Sequence, residues 1–176
     1  MTTDSNSPQT QNFPSAPTSR DRRIVMGNWK MNGQLQTNQN LLGQLRELYA
    51  PGKGASLAVC VPFPYLAQAQ ELLRGSPITW GAQDVSMHEK GPYTGEVSGS
   101  MLADFGCRWA LVGHSERRTL HGETDEDVAK KALAALINGV GPVVCVGETL
   151  EEREQNQVAA VIERQLKPVL ALGTEA

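Results

Sequence analysis

From Arg23 onward, short apolar runs alternate with longer stretches in which apolar residues recur every three or four positions. RIVMGNW (residues 23–29) reads as a strand. QTNQNLLGQLRELYA (36–50) carries Leu41, Leu42, Leu45 and Leu48 at helical spacing before the breaker Pro51-Gly52. SLAVCVP (56–62) is a second strand; Pro64 suits the first turn of a helix through YLAQAQELLRG (65–75), and PITWGAQ (77–83) is a third strand. Met87 to Ser98, MHEKGPYTGEVS, is too polar and too rich in Gly and Pro for a regular element, so it is a long loop, and long ordered loops usually have a function. A short helix SGSMLADFG (98–106) and a fourth strand RWALVG (108–113) follow. Thr124 to Asp127 has the form of a capping box, opening a helix through VAKKALAALING (128–139) that Gly139 ends. GPVVCVG (141–147) is the fifth strand, Thr149 to Glu152 forms another capping box, and REQNQVAAVIERQL (153–166) is predicted as one last amphipathic helix.

Five largely unbroken apolar strands, each followed by a helix, imply an α/β fold with a parallel sheet covered by helices. An open doubly wound sheet often carries a Gly-rich phosphate turn after its first strand, but here that strand ends in GNWKMNG, without G-x-G-x-x-G. A (β/α)8 barrel instead gathers functional residues at the carboxyl ends of many strands. Asn28 and Lys30 follow strand one, Gln83 strand three, His114 strand four and Glu148 strand five, which favours the barrel.

Composition narrows the partners. With 176 residues and 40% hydrophobic content, the chain is the size of one domain with a sizeable core. A formal charge of −3, with acids and bases interleaved, gives no electrostatic support for binding nucleic acid or an anionic membrane. Cys60, Cys107 and Cys145 have no metal-ligand spacing and sit in or beside apolar segments, as buried thiols of a reducing compartment do. No apolar run is long enough to span a bilayer and no signal-peptide core is visible, so a cytoplasmic location is expected. Residues 1–22, rich in Ser, Thr, Asn, Gln and Pro up to Arg20, are expected to be a disordered tail ahead of a partial barrel over 23–176; a transit peptide is the alternative, disfavoured by Asp4 and the lack of Arg before Arg20.

The residues at the strand ends suit an anionic ligand whose charge changes during reaction. Lys30 can hold a phosphate or a developing oxyanion, and His114 can donate to a carbonyl oxygen and pass protons near neutral pH. Taken singly, each has a simpler reading: Lys30 as a solvated lysine, His114 as a structural hydrogen-bonding residue. His88 and His121, in loop-like stretches, keep that simpler reading.

GNWKMN, GPYTGEVS, VGHSERR and CVGE occur in this order and at about the spacing found in the triosephosphate isomerase family, which the chain resembles from about Arg23 to its end. The resemblance implies an incomplete TIM (β/α)8 barrel of about five βα units. It also implies interconversion of dihydroxyacetone phosphate and glyceraldehyde 3-phosphate through an enediolate, a step of glycolysis and gluconeogenesis, with no metal or organic cofactor. Asn28 and Lys30 match the substrate-holding residues, and His114 the electrophile that polarises the carbonyl. Ser115 matches the serine that holds the catalytic carboxylate in the open state, and Glu116 the glutamate near the lysine, so the resemblance implies His114, Lys30 and Glu116 as catalytic and Asn28, Lys30 and Ser115 as substrate-binding. Tyr93, Thr94, Gly95 and Glu96 match a loop tip that enters the neighbouring subunit, with Arg117 at that contact, so a homodimer is implied. Cys145 and Glu148 match supporting residues behind the site.

The chain departs from its family after the fifth helix: the motif with the catalytic glutamate, the later glycine-rich phosphate turns and strands six to eight have no counterpart before Ala176. The expectation is a truncated copy lacking the catalytic base, with sheet edges and part of the apolar interior exposed. Glu116 and Glu148 are available carboxylates, but either would require a different active site. The alternatives are a catalytically inactive half-barrel acting as a binding or dimerisation module, and a different sugar-phosphate barrel enzyme, which the four motifs argue against.

Overall fold

A computed structural model of the chain describes residues 23–50 and 54–173; the tail expected over 1–22 lies outside the described residues. Five strands, β1 (Ile24–Asn28), β2 (Ser56–Val61), β3 (Thr79–Ala82), β4 (Trp109–Val112) and β5 (Gly141–Val144), pair in sequence order, all parallel, in a sheet that curls into a half-barrel. Helix α1 (Leu35–Leu48) joins β1 to β2, and α2 (Leu66–Leu73), entered by a 3-10 turn at Phe63–Tyr65, joins β2 to β3. The long loop and α3 (Gly99–Asp104) lead to β4; α4 (Ser115–His121) and α5 (Asp125–Ile137) lie between β4 and β5.

Alternation along the strands divides the core. Val59, Val61, Ala110 and Val112 join the cluster built with Leu42, Leu66, Leu73, Leu102 and Val128 of the helices. Ala58, Cys60 and Leu111 are buried at the intervening positions, toward the concave side. The expected edges are present: among the described residues β1 and β5 each pair on one side only, and Ile24 and Val25 are 43% and 59% exposed.

Both capping boxes form as the sequence predicts, with Asp127 and Glu152 each accepting from the N-cap backbone N–H. The predicted single helix over 153–166 does not form. The structure has α6 (Leu150–Glu154) and α7 (Val158–Leu170), separated where Asn156 turns to φ +55. The N–H of Gln157 reaches the carbonyl of Glu152 and that of Asn156 reaches Arg153, a Schellman closure that asparagine tolerates in place of glycine.

Candidate active site

At the carboxyl ends of β1 to β4 lies a cleft of about 630 Å³ lined by Asn28, Lys30, Gln83, His114, Glu116 and Arg117, among others. Each side chain is positioned by a local device. Lys30 stands in the left-handed region at φ +51, a conformation that costs a non-glycine residue about 1 kcal/mol or more. Two asparagines hold it there: Asn28 Oδ1 accepts from the Lys30 N–H at 2.9 Å, and Asn32 Nδ2 donates to the Trp29 carbonyl at 2.9 Å. The Lys30 ammonium then donates to Glu116 Oε1 at 2.7 Å, both side chains being about half exposed.

His114 is the N-cap of α4, and its Nδ1 accepts from the backbone N–H of Glu116 at 3.3 Å. That contact makes Nδ1 an acceptor and leaves the proton of the neutral ring on Nε2. Glu116 Oε2 lies 3.4 Å from the same Nδ1, a contact that becomes an ion pair only when the ring is protonated. A hydrogen bond from Lys30, helped by its charge and, where the ring is protonated, by that of His114, holds the Glu116 carboxyl below the ordinary glutamate range.

Thus Asn28, Lys30, His114 and Glu116, 88 positions apart at the extremes, share one cleft. Ser115 is exposed at the first position of α4 and does not line the cleft. Thr94 and Glu96 are exposed in the long loop, away from this chain's cleft. Gln83 turns its amide onto the Cys60 carbonyl at 2.9 Å, bracing β2 against β3. Glu148 pairs with Arg153 at 3.3 Å, and the preceding Gly147 is clamped through both backbone polar groups by the buried Gln165 amide at 2.8 and 3.0 Å. Burial pushes the Cys60 and Cys107 thiols up to about 12, so neither is a nucleophile at neutral pH.

Sequence reasoning missed a second charged cluster, which Asp84 and Arg117 join to the cleft wall. Lys131, only 4% exposed, donates to both carboxylate oxygens of Asp84 at 2.7 and 2.9 Å and to Glu123 Oε1 at 2.5 Å. Arg117 closes the cluster, reaching Asp84 Oδ2 at 3.0 Å and Glu123 Oε1 at 2.5 Å. Burial pushes the Asp84 carboxyl above its ordinary range against the opposing cations. At Glu123 burial is the largest single influence, but the hydrogen bonds from Lys131 and Arg117 together outweigh it and hold the carboxyl below its ordinary range. One signal was available: Lys131 falls on the stripe of α5 formed by Val128, Ala129, Ala132 and Ala135, where an unpaired lysine would be costly.

The whole stretch 23–176 matches the family model of triosephosphate isomerase. The chain belongs to the triosephosphate isomerase family. It is 63% identical over 154 residues to the triosephosphate isomerase of Bordetella pertussis, covering 88% of this chain and 62% of that protein. Against the Cupriavidus necator enzyme of the same name it is 58% identical over 149 residues, covering 85% and 60%. The crystal structure of triosephosphate isomerase from Bartonella henselae superposes with a TM-score of 0.76 at 37% identity, covering 84% of this chain and 61% of that one. The chain thus spans about three-fifths of the length of the relatives it matches. Among the described residues no helix is long and apolar enough to cross a membrane.

Proposed function

We propose that the described cleft is the substrate-holding and electrophilic part of a triosephosphate isomerase site, acting in the interconversion of dihydroxyacetone phosphate and glyceraldehyde 3-phosphate. The observation that carries this reading is the convergence of Lys30 and His114 on Glu116, at 2.7 and 3.4 Å. Lys30, with Asn28 beside it, attracts the anionic substrate and stabilises negative charge on the substrate oxygen. His114 presents Nε2–H to the carbonyl oxygen, polarising it and moving a proton between the two oxygens of the enediolate. Glu116 holds the ammonium until substrate arrives. Ser115, exposed beside His114, is where a mobile carboxylate would rest in the open state.

The carboxylate that takes the carbon-bound proton is assigned to no described residue, because Glu116 is engaged by Lys30 and Glu148 by Arg153. On this reading the described residues hold a triose phosphate without supplying the base that isomerises it. The test pairs dihydroxyacetone phosphate binding with an isomerase assay on this polypeptide. Binding that disappears in Lys30→Met, with no turnover above background, is expected; turnover that His114→Gln abolishes would overturn the assignment.

The loop over 87–98 supports a homodimer. Glu89 to Glu96 is exposed throughout, yet the loop is closed at its base by a 2.8 Å bond from the Ser86 N–H to the Val97 carbonyl. Thr94 and Glu96 at its tip enter a second copy near Arg117, and a half-barrel serving as a dimerisation module uses the same surface. We place the reaction in the cytoplasm, where the reduced cysteines are stable.

A further inference from the structure

We infer that His88 is a template for the dimerisation loop: stacked on Tyr93, it holds the tip in the shape that a second copy receives, so this contact within the loop sets the strength of self-association. The inference rests on the homodimer reading above. The two rings lie 3.8 Å apart between centroids and only 4° from parallel, and this stack is supported on both sides by hydrogen bonds of the loop backbone. One side is His88, whose N–H is tied to Ser86 Oγ at 3.2 Å at the base of the loop. The other is the turn: the Tyr93 N–H reaches the Gly91 carbonyl at 2.9 Å and the Glu96 N–H reaches the Tyr93 carbonyl at 3.0 Å. Gly91 takes φ +137, and a Cβ there would lie 3.1 Å from the Tyr93 ring, so the backbone and the stack fit only with glycine at this position.

Eight consecutive exposed residues ordinarily sample many conformations, and ordering them on association weakens binding. The stack orders them beforehand. An aromatic pair of this kind changes an equilibrium by about threefold to tenfold, and an isologous dimer contains the contact twice, so its loss weakens association by about tenfold to a hundredfold.

The experiment measures the dimer dissociation constant by sedimentation, and tryptic cleavage after the exposed Lys90, for the parent, His88→Ala, His88→Phe and Thr94→Arg. His88→Ala is expected to raise the dissociation constant by about tenfold to a hundredfold and to speed cleavage about tenfold, whereas His88→Phe, which keeps a flat ring, stays within about threefold of the parent in both. Unchanged values in His88→Ala, or His88→Phe as impaired as His88→Ala, would overturn the inference. A parent that stays monomeric at about 100 μM, where a micromolar association is saturated, or a Thr94→Arg variant that associates normally, overturns the homodimer reading instead. The cleavage rates, which need no second copy, then decide whether the stack orders the loop.

Discussion

Two charged constellations meet at α4, and they differ in water. Lys30 and Glu116 face solvent in the cleft; Asp84, Arg117, Glu123 and Lys131 form a largely buried cluster beside it, with Asp84 and Arg117 reaching the cleft wall. The exposed pair adds little to stability, since water screens it, and Lys30 can exchange its carboxylate for a ligand. In the buried cluster Lys131 and Arg117 each pair with both Asp84 and Glu123, so removing a partner leaves buried charge undercompensated, and the cluster ties α4 to the rest of the fold. The position of Arg117, in the cleft wall but committed to Asp84 and Glu123, shows how the scaffold holds α4 and hence His114 in place.

The sharpest way to break this contrast is Lys131→Met, which leaves Asp84 and Glu123 with Arg117 as their one shared cation. Urea unfolding should record a loss of about 3 kcal/mol; a loss under about 1 kcal/mol would mean that the buried cluster does not depend on the lysine. Next is Gly113→Ala, at the turn joining β4 to His114. With φ +68 and a Cβ 2.5 Å from Val128 Cγ2, it should cost about 2 kcal/mol by the same measurement and broaden the His114 resonances, whereas full retention of both would detach the turn from the site. Lys30→Met should leave the urea midpoint nearly unchanged while abolishing dihydroxyacetone phosphate binding, the reverse of Lys131→Met. The smallest effect is a titration. Because Lys30 lowers the Glu116 carboxyl, the pair is intact above the ordinary glutamate range and is lost only as pH falls through the lowered value. Carbon-13 NMR should find Glu116 titrating below the ordinary glutamate range, and rising toward it in Lys30→Met.

Much of the fold was legible because it is local. Strand runs such as SLAVCV and the two capping boxes carry their signal within a few residues, and all appear where expected. The break at Asn156 was not legible, because residues 153–157, REQNQ, carry no apolar position that could mark where one helical stripe stops and that of Val158 and Val161 begins. The buried cluster joins residues 47 positions apart, so its pairing leaves no mark in sequence beyond a lysine on an apolar stripe. His88 was read as an ordinary loop residue, since nothing in MHEKGPY announces that its ring lies flat on Tyr93. The cleft was legible through the family motifs; the tautomer of His114 and the strained backbone of Lys30 were not, being matters of hydrogen bonds and dihedral angles.

The central claim is that Lys30 and His114 serve one ligand. The most direct measurement is nitrogen-15 NMR of the His114 ring and the Lys30 ammonium during titration with dihydroxyacetone phosphate. The account predicts that both signals shift with a single dissociation constant and that Lys30→Met silences the response at His114. Shifts confined to one of the two, or a His114 response untouched by Lys30→Met, would contradict it.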